Sequence, residues 1–196
     1  MAACLKNLII NPHDEQYFNE GCTMKIAIIN GPNHKGSTYH IGRILAESIA
    51  DGDIISEFFL PRDLSHFCLG CYQCIENTEK CPFYSDKKKI LDAMKQAELL
   101  IFTTPTYCFG PSAQMKAFID LLFDFRMSHR PLPWMFQKKA AVISTCAEGG
   151  AKGAVKQVRN TLQYMGVPYI KRYSIAVQAM HWDMVKPKKK EKSKRT

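Results

Sequence analysis

Four cysteines crowd into fourteen residues: Cys68-Leu-Gly-Cys71-Tyr-Gln-Cys74, then six residues, then Cys81-Pro82. Two C-x-x-C steps sharing Cys71 put three sulfurs around one point. A short return loop brings the fourth, a spacing suited to a cuboidal 4Fe–4S cluster. Four thiolates also make a tetrahedral zinc site, although zinc knuckles usually stand further apart. The same thiols can instead stay reduced and pack at a subunit contact. These three readings stay open at this point. The remaining cysteines, Cys4, Cys22, Cys108 and Cys146, read as small buried or idle thiols, and the six histidines fall in no metal spacing.

A second chemical signal runs from Met24 to Thr38, MKIAIIN followed by GPNHKGST. The apolar run Ile26 to Ile29 has strand length, a loop with Gly31, Pro32 and Gly36 follows, and a helical pattern begins at Ser37 and Thr38. Glycines let backbone amides approach a ligand and the hydroxyls add donors. The unpaired N–H groups of a first helical turn then favour a phosphate.

The elements that must hold these groups alternate. Ile41, Ile44, Leu45 and Ile49 mark one helix face, stopped at Asp51-Gly52-Asp53, and Ile54 to Leu60 reads as a second strand. Ile90, Leu91 and Met94 mark a helix after the cysteine loop. Leu99 to Thr104 is the continuous apolar run of a strand covered on both faces. A long helix follows, with Phe118, Leu121, Leu122 and Phe125 on one stripe and Lys116, Asp120 and Asp124 on another. Ala140 to Thr145 is a fourth strand, Val155, Val158, Leu162 and Met165 a fourth helix capped by Gly166, and Tyr169 to Val177 a fifth strand. Strand–helix alternation at this spacing predicts an α/β domain with a parallel sheet between helices. Ligands of such sheets bind beyond the carboxyl ends of the strands. Three loops there are rich in Gly, Ser, Thr and Tyr: 31–38, 105–110 and 145–150.

Length and composition set the bounds. With 196 residues, 46% of them hydrophobic, the chain can bury one core. The net charge of +9 is concentrated at the end, where Lys186, Lys188, Lys189, Lys190, Lys192, Lys194 and Arg195 face only Glu191, so the body is weakly basic. That tail, 181–196, is expected to be a solvated end, and no nucleic-acid partner is expected. Residues 1–23 form an extension without clear periodicity, expected to fray. No run approaches the roughly 20 apolar residues of a membrane span, and no signal-peptide order is visible. A cytoplasmic location is expected.

From Met24 to about Val177 the sequence resembles the flavodoxin-fold NAD(P)H-dependent FMN reductases, in particular the iron–sulfur flavoprotein branch. In that family a GSPRxxSNT-like loop follows the first strand and holds the FMN phosphate. Aligned on Pro32, this chain has Asn33 in place of the family's arginine, and Ser37 and Thr38 at the end. The resemblance therefore places Asn33, Lys35, Ser37 and Thr38 at the phosphate. TPTYCFGPSAQMKAFID resembles tPvYfgxxsaqlKxfiDR, which lies along the isoalloxazine, and so implies Pro105, Thr106, Tyr107, Phe109 and Gly110. The STCAEGG loop implies Thr145, Cys146, Gly149 and Gly150 at the other flavin edge. The cysteine run resembles the compact motif of the iron–sulfur flavoproteins and implies Cys68, Cys71, Cys74 and Cys81 as cluster ligands.

The family resemblance implies a flavodoxin-like three-layer sandwich over 24–180, with five parallel strands in the order 2-1-3-4-5. It implies an FMN-dependent oxidoreductase that passes electrons from NAD(P)H to a small acceptor such as a quinone or flavin, or to a redox protein, as a homodimer or tetramer. No acid–base side chain is obligatory, because the flavin carries the hydride chemistry. The rival expectation is a non-catalytic FMN and iron–sulfur electron carrier fed by a ferredoxin-like donor.

Overall fold

The computed structural model describes residues 24–49, 54–127, 131–179 and 181–194. The expectations for residues 1–23 and for the helix stop at 51–53 lie outside the described residues. The described residues form six strands: β1 (Lys25–Asn30), β2 (Ile54–Phe59), β3 (Leu99–Tyr107), β4 (Gly110–Pro111), β5 (Lys139–Cys146) and β6 (Tyr169–Ala176). The main helices are α1 (Ser37–Ile49), α2 (Tyr84–Gln96), α3 (Ala113–Leu121), α4 (Ala151–Tyr164) and α5 (Pro187–Lys194). Single helical turns at Leu60–Asp63, Gln73–Glu76, Thr78–Lys80, Asp124–Met127 and Pro133–Gln137 lie between them.

Five strands pair in parallel in the order β2-β1-β3-β5-β6, which is the expected 2-1-3-4-5 order of the long strands. The sixth strand was not expected. β4 is a two-residue strand that folds back antiparallel on the end of β3. β1, β3 and β5 are buried almost throughout because helices cover both their faces. The flanking strands β2 and β6 carry half-buried polar residues, as strands at the sheet edges can.

Alternation along each strand builds two cores. Ala27, Ile29, Leu100, Phe102, Ala140 and Val142 point to one face, under Ile90 and Met94 of α2, Phe118 of α3, and Val155 and Val158 of α4. Ile26, Ile28, Leu99, Ile101, Ala141 and Ile143 point to the other, under Ile41, Ala46 and Ile49 of α1 and Val185 before α5.

Two sequence expectations need correction. The helix after β3 does not run through Phe125: α3 ends at Leu121, and a separate turn begins at Asp124. The basic stretch expected to be a solvated end is also ordered over 187–194. It forms α5, with Ser193 buried, the Lys189 ammonium donating to the Ala176 carbonyl at the end of β6 (2.6 Å), and Tyr173 and Ser193 hydroxyls 3.3 Å apart. α5 and the segment before it complete the layer that α1 alone leaves short. No described helix is long and apolar enough to cross a membrane.

Candidate functional site

The three loops beyond β1, β3 and β5 are joined by a belt of short hydroxyl side chains. Thr38 of α1 and Thr145 of β5 share a buried hydrogen bond of 2.6 Å, and Thr106 and Ser144 share one of 2.8 Å. The Thr103 hydroxyl donates to Asn30 Oδ1 at 2.7 Å, and the Asn30 amide donates to Glu57 at 3.3 Å. Ser112 caps α3 by accepting from the Met115 amide, and its own amide donates to Thr104 Oγ1 at 2.8 Å. Among the described residues no buried side-chain nitrogen or oxygen lacks a partner. Polar groups buried with all partners in place fix one geometry, which keeps the three loops in register.

The first loop leaves β1 with the Gly31 amide bonded to the Thr103 carbonyl at 2.8 Å. A Cβ at Gly31 would lie 2.6 Å from Ser112 Oγ, so only glycine allows this approach. Gly36 accepts from the His40 amide and thereby caps α1. The amides of Ser37, Thr38 and Tyr39 then have no intrahelical acceptor, and α1 carries no acid in its first turn. Ser37 is buried beside them, whereas Asn33 and Lys35 are exposed on the loop. Ser37 and Thr38, paired as phosphate ligands by the resemblance, differ: the Thr38 hydroxyl is committed to Thr145.

The second loop is a tight hairpin, Tyr107-Cys108-Phe109-Gly110, between β3 and β4. Cys108 and Phe109 have φ of 48° and 62°, the left-handed pair of a two-residue hairpin usually met by Asn-Gly. Each such non-glycine residue costs about 1–2 kcal/mol. The strain holds out two aromatic side chains, Phe109 at 79% and Tyr107 at 51% exposure. Sequence spacing did not reveal this turn because its residues are not turn formers. Backbone strain of this kind concentrates where a ligand is held.

The third loop meets the hairpin at Gly150. This residue has φ of +90°, and a Cβ there would lie 3.0 Å from Phe109 Cδ1 and Thr106 Cγ2 and 3.1 Å from Phe109 Cα. Gly149 has open space where a Cβ would point. Cys146 is not aimed at this opening, since its thiol lies 3.9 Å from the Ile175 carbonyl of β6. Pro105 is buried in β3 and Gly110 is half-buried in β4. Orphan helix amides, a buried serine, an open glycine edge and two exposed aromatic rings fit a phosphate-bearing planar cofactor.

The cysteine loop lies elsewhere. Cys68, Cys71, Cys74 and Cys81 line a cavity of about 500 Å³ together with Ile119 and Met165. Stacking fixes the loop at both ends: His66 stacks on Phe83 at 4.3 Å and contacts Asp86 at 2.9 Å, and the Tyr72 ring meets the Phe123 edge at 5.9 Å. Among the described residues no three Cys, His, Asp or Glu side chains are grouped to hold a metal. Single turns at Gln73–Glu76 and Thr78–Lys80 shape the loop between Cys71 and Cys81.

Beneath that loop is a buried ion pair that the sequence did not single out. Lys87 has no solvent exposure, and its ammonium donates to the Leu121 carbonyl (3.0 Å) and to Asp124 (3.2 Å). The Thr78 hydroxyl donates to the other Asp124 oxygen at 2.6 Å. Burial, and next the Asp124 carboxylate, push the Cys74 thiol above its ordinary pKa, with Lys87 opposing. Cys74 is therefore a protonated thiol at neutral pH.

Comparison with known proteins identifies the family of this fold. The family described as NADPH-dependent FMN reductase matches residues 24–181. An iron–sulfur flavoprotein of Methanocaldococcus jannaschii is 33% identical over 144 residues, 70% of this chain and 70% of that protein. An FMN-dependent NADH:quinone oxidoreductase of Burkholderia pseudomallei is 27% identical over 122 residues, 59% of this chain and 55% of that protein. Among solved structures, an NAD(P)H:quinone oxidoreductase from Methanothermobacter marburgensis superposes with a TM-score of 0.68 at 14% identity, covering 89% of this chain and 94% of that one. At that identity the superposition shows a shared flavodoxin-like fold.

Proposed function

The chain belongs to the NADPH-dependent FMN reductase family and is an FMN-containing, NAD(P)H-dependent oxidoreductase, and from that premise we propose how its own residues serve the reaction. Ser37 and the amides of Ser37 to Tyr39 hold the FMN phosphate, with Asn33 and Lys35 at the rim. Thr106, Tyr107, Phe109 and Gly110 line one edge of the isoalloxazine, and Thr145, Gly149 and Gly150 the other. Pro105 and Cys146 act from behind, shaping the strand ends. The observation that carries this reading is the hydroxyl belt, which locks all three loops together through Thr38–Thr145 and Thr106–Ser144.

When bound, FMN supplies the hydride and electron chemistry. The protein's part is to bind, orient and leave a face open. The strained hairpin fixes Phe109 against Gly150, and the exposed Tyr107 and Phe109 rings offer apolar surface for a planar nicotinamide or a quinone or flavin acceptor. Electrons pass from NAD(P)H to that small acceptor. Exposed Phe67, Leu69 and Tyr72 on the cysteine loop support a homodimer that covers them, and light scattering of the flavin-loaded protein at a monomer mass would contradict this.

The test is a titration of FMN into apoprotein. Ser37→Ala removes one charge-assisted hydrogen bond, worth about 1.5–3 kcal/mol, and should weaken FMN by roughly 10–150-fold. Unchanged affinity would remove the phosphate from α1. Bleaching of bound flavin by NADPH separates an enzyme from a carrier that accepts electrons only from a ferredoxin-like protein.

A narrower reading concerns the cysteine loop. Its four thiols lining one cavity, and the name of the Methanocaldococcus relative, support a 4Fe–4S cluster held by Cys68, Cys71, Cys74 and Cys81. Anaerobic reconstitution should then give roughly four iron per chain, diminished by Cys71→Ser. Background iron would leave a plain flavin reductase.

A further inference from the structure

Resting on the nicotinamide-dependent reading above, we propose that the corner where α5 meets α1 is the subsite for the adenosine 2′-phosphate end of NADPH.

A continuous ladder of rings and cations occupies that corner. The Lys35 ammonium lies 5.5 Å from the Tyr39 ring centroid, and the Tyr39 and His40 rings meet edge-on at 5.2 Å. His40 stacks on Trp182 at 5.1 Å with 18° between planes, and the Lys190 ammonium lies 5.2 Å from the Trp182 centroid. The Tyr39 ring also stacks with Phe59 at 5.8 Å; Tyr39, His40, Trp182 and Lys190 are half-exposed and Lys35 is exposed, so ring edges and both ammonium groups remain within reach of a ligand. It begins at the loop that precedes Ser37, which places one end beside the flavin phosphate site.

Its charge is uncompensated. Several surface lysines pair with acids one helical turn away, as in Lys80–Glu76 and Lys116–Asp120. Lys35 and Lys190 pair with no carboxylate among the described residues; Lys190 donates to the Asp183 backbone carbonyl at 3.2 Å. Neither α1 nor α5 carries an acid in its first turn. The positive charge of Lys190 is felt by His40, held below its ordinary pKa first by burial and then by Lys190, while a backbone hydrogen bond with Lys35 opposes the shift.

An anion with a planar face satisfies both halves of the ladder. Aromatic side chains stack nucleobases at modest cost, and ammonium groups take phosphate oxygens as point charges. A 2′-phosphoadenosine offers both, and its dinucleotide carries the nicotinamide that the flavin site consumes. NADH offers the base without the phosphate, so the corner discriminates between the two.

The test uses FMN-loaded protein and isothermal titration calorimetry with 2′,5′-ADP and 5′-AMP. The expected result is that 2′,5′-ADP binds about tenfold more tightly, or about 1.4 kcal/mol, that Lys190→Gln abolishes this preference, and that Trp182→Leu weakens both ligands. Lys188→Gln, on the same helix but outside the ladder, should change nothing. In steady state Lys190→Gln should raise the KM for NADPH about tenfold while leaving the KM for NADH and the FMN content unchanged. Equal binding of the two probes, or a preference that survives Lys190→Gln, would overturn the proposal. Failure of wild-type protein to oxidise either nicotinamide would instead refute the underlying enzyme reading, while the calorimetry still judges the corner.

Discussion

Replacing Asp124 with asparagine strips the negative charge from beneath the cysteine loop and leaves the Lys87 ammonium fully buried. Lys87 then keeps the Leu121 carbonyl at 3.0 Å, which cannot offset its charge. The Thr78 hydroxyl, which donates to Asp124 at 2.6 Å, must turn or face an amide. Breaking one side of a buried pair costs about 3–5 kcal/mol, a large part of the 5–15 kcal/mol typical of a whole domain. With a urea slope of about 2 kcal/mol/M the midpoint should fall by roughly 1.5–2.5 M. Lys87→Met with Asp124→Leu removes both charges from the same volume and should recover most of that loss. The Cys74 thiol reports the same electrostatics: Asp124 raises its pKa, so Asp124→Asn should lower it and speed alkylation of Cys74 in folded protein. A midpoint within about 0.5 M of wild type, or a double variant as unstable as the singles, would refute the claim that this pair anchors the loop.

Gly150→Ala forces a side chain into φ of +90° and to within 3.0 Å of Phe109 and Thr106, so it should cost at least about 1–2 kcal/mol and shift the hairpin, seen as faster FMN loss in dialysis. Thr38→Val leaves the Thr145 hydroxyl buried without its 2.6 Å partner and should cost about 1–3 kcal/mol, while the Thr38→Val, Thr145→Val pair should cost less; thermal melts decide. His40 faces the Lys35 and Lys190 ammoniums and the Tyr39 and Trp182 rings, and its folded pKa lies below the ordinary 6.5. The unfolded chain therefore binds the proton first, and stability should fall as pH drops through 6.5 toward the folded value, less steeply in His40→Gln; equal slopes in urea unfolding at stepped pH would count against it.

The long strands were legible because their apolar runs are continuous and separated by helical periods, while their order followed from the family resemblance. The strand-end loops were legible for the same reason: glycine and hydroxyl residues at strand termini carry their purpose locally. What the sequence hid depends on tertiary placement. Lys87 and Asp124 carry ordinary surface residue types, and only the fold shows that one is fully buried under the other. Cys108 and Phe109 adopt a glycine-like turn that no turn propensity announces. α5 has almost no apolar stripe; it is held by Lys189 on the β6 carbonyl and by Ser193, contacts that no periodicity encodes.

The ladder between α1 and the segment before α5 also bears on how the chain is made. His40 leaves the ribosome early, and Trp182 follows only after every described strand has been synthesised. At about 5–20 residues per second, the nascent α1 waits many seconds with its aromatic face uncovered, and β1 waits likewise for β3, its inner neighbour in the sheet. Translation pausing or chaperone demand should therefore fall on the first third of the chain. The last described helix, α5, follows β6 in the chain and lays Lys189 on the carbonyl that ends that strand.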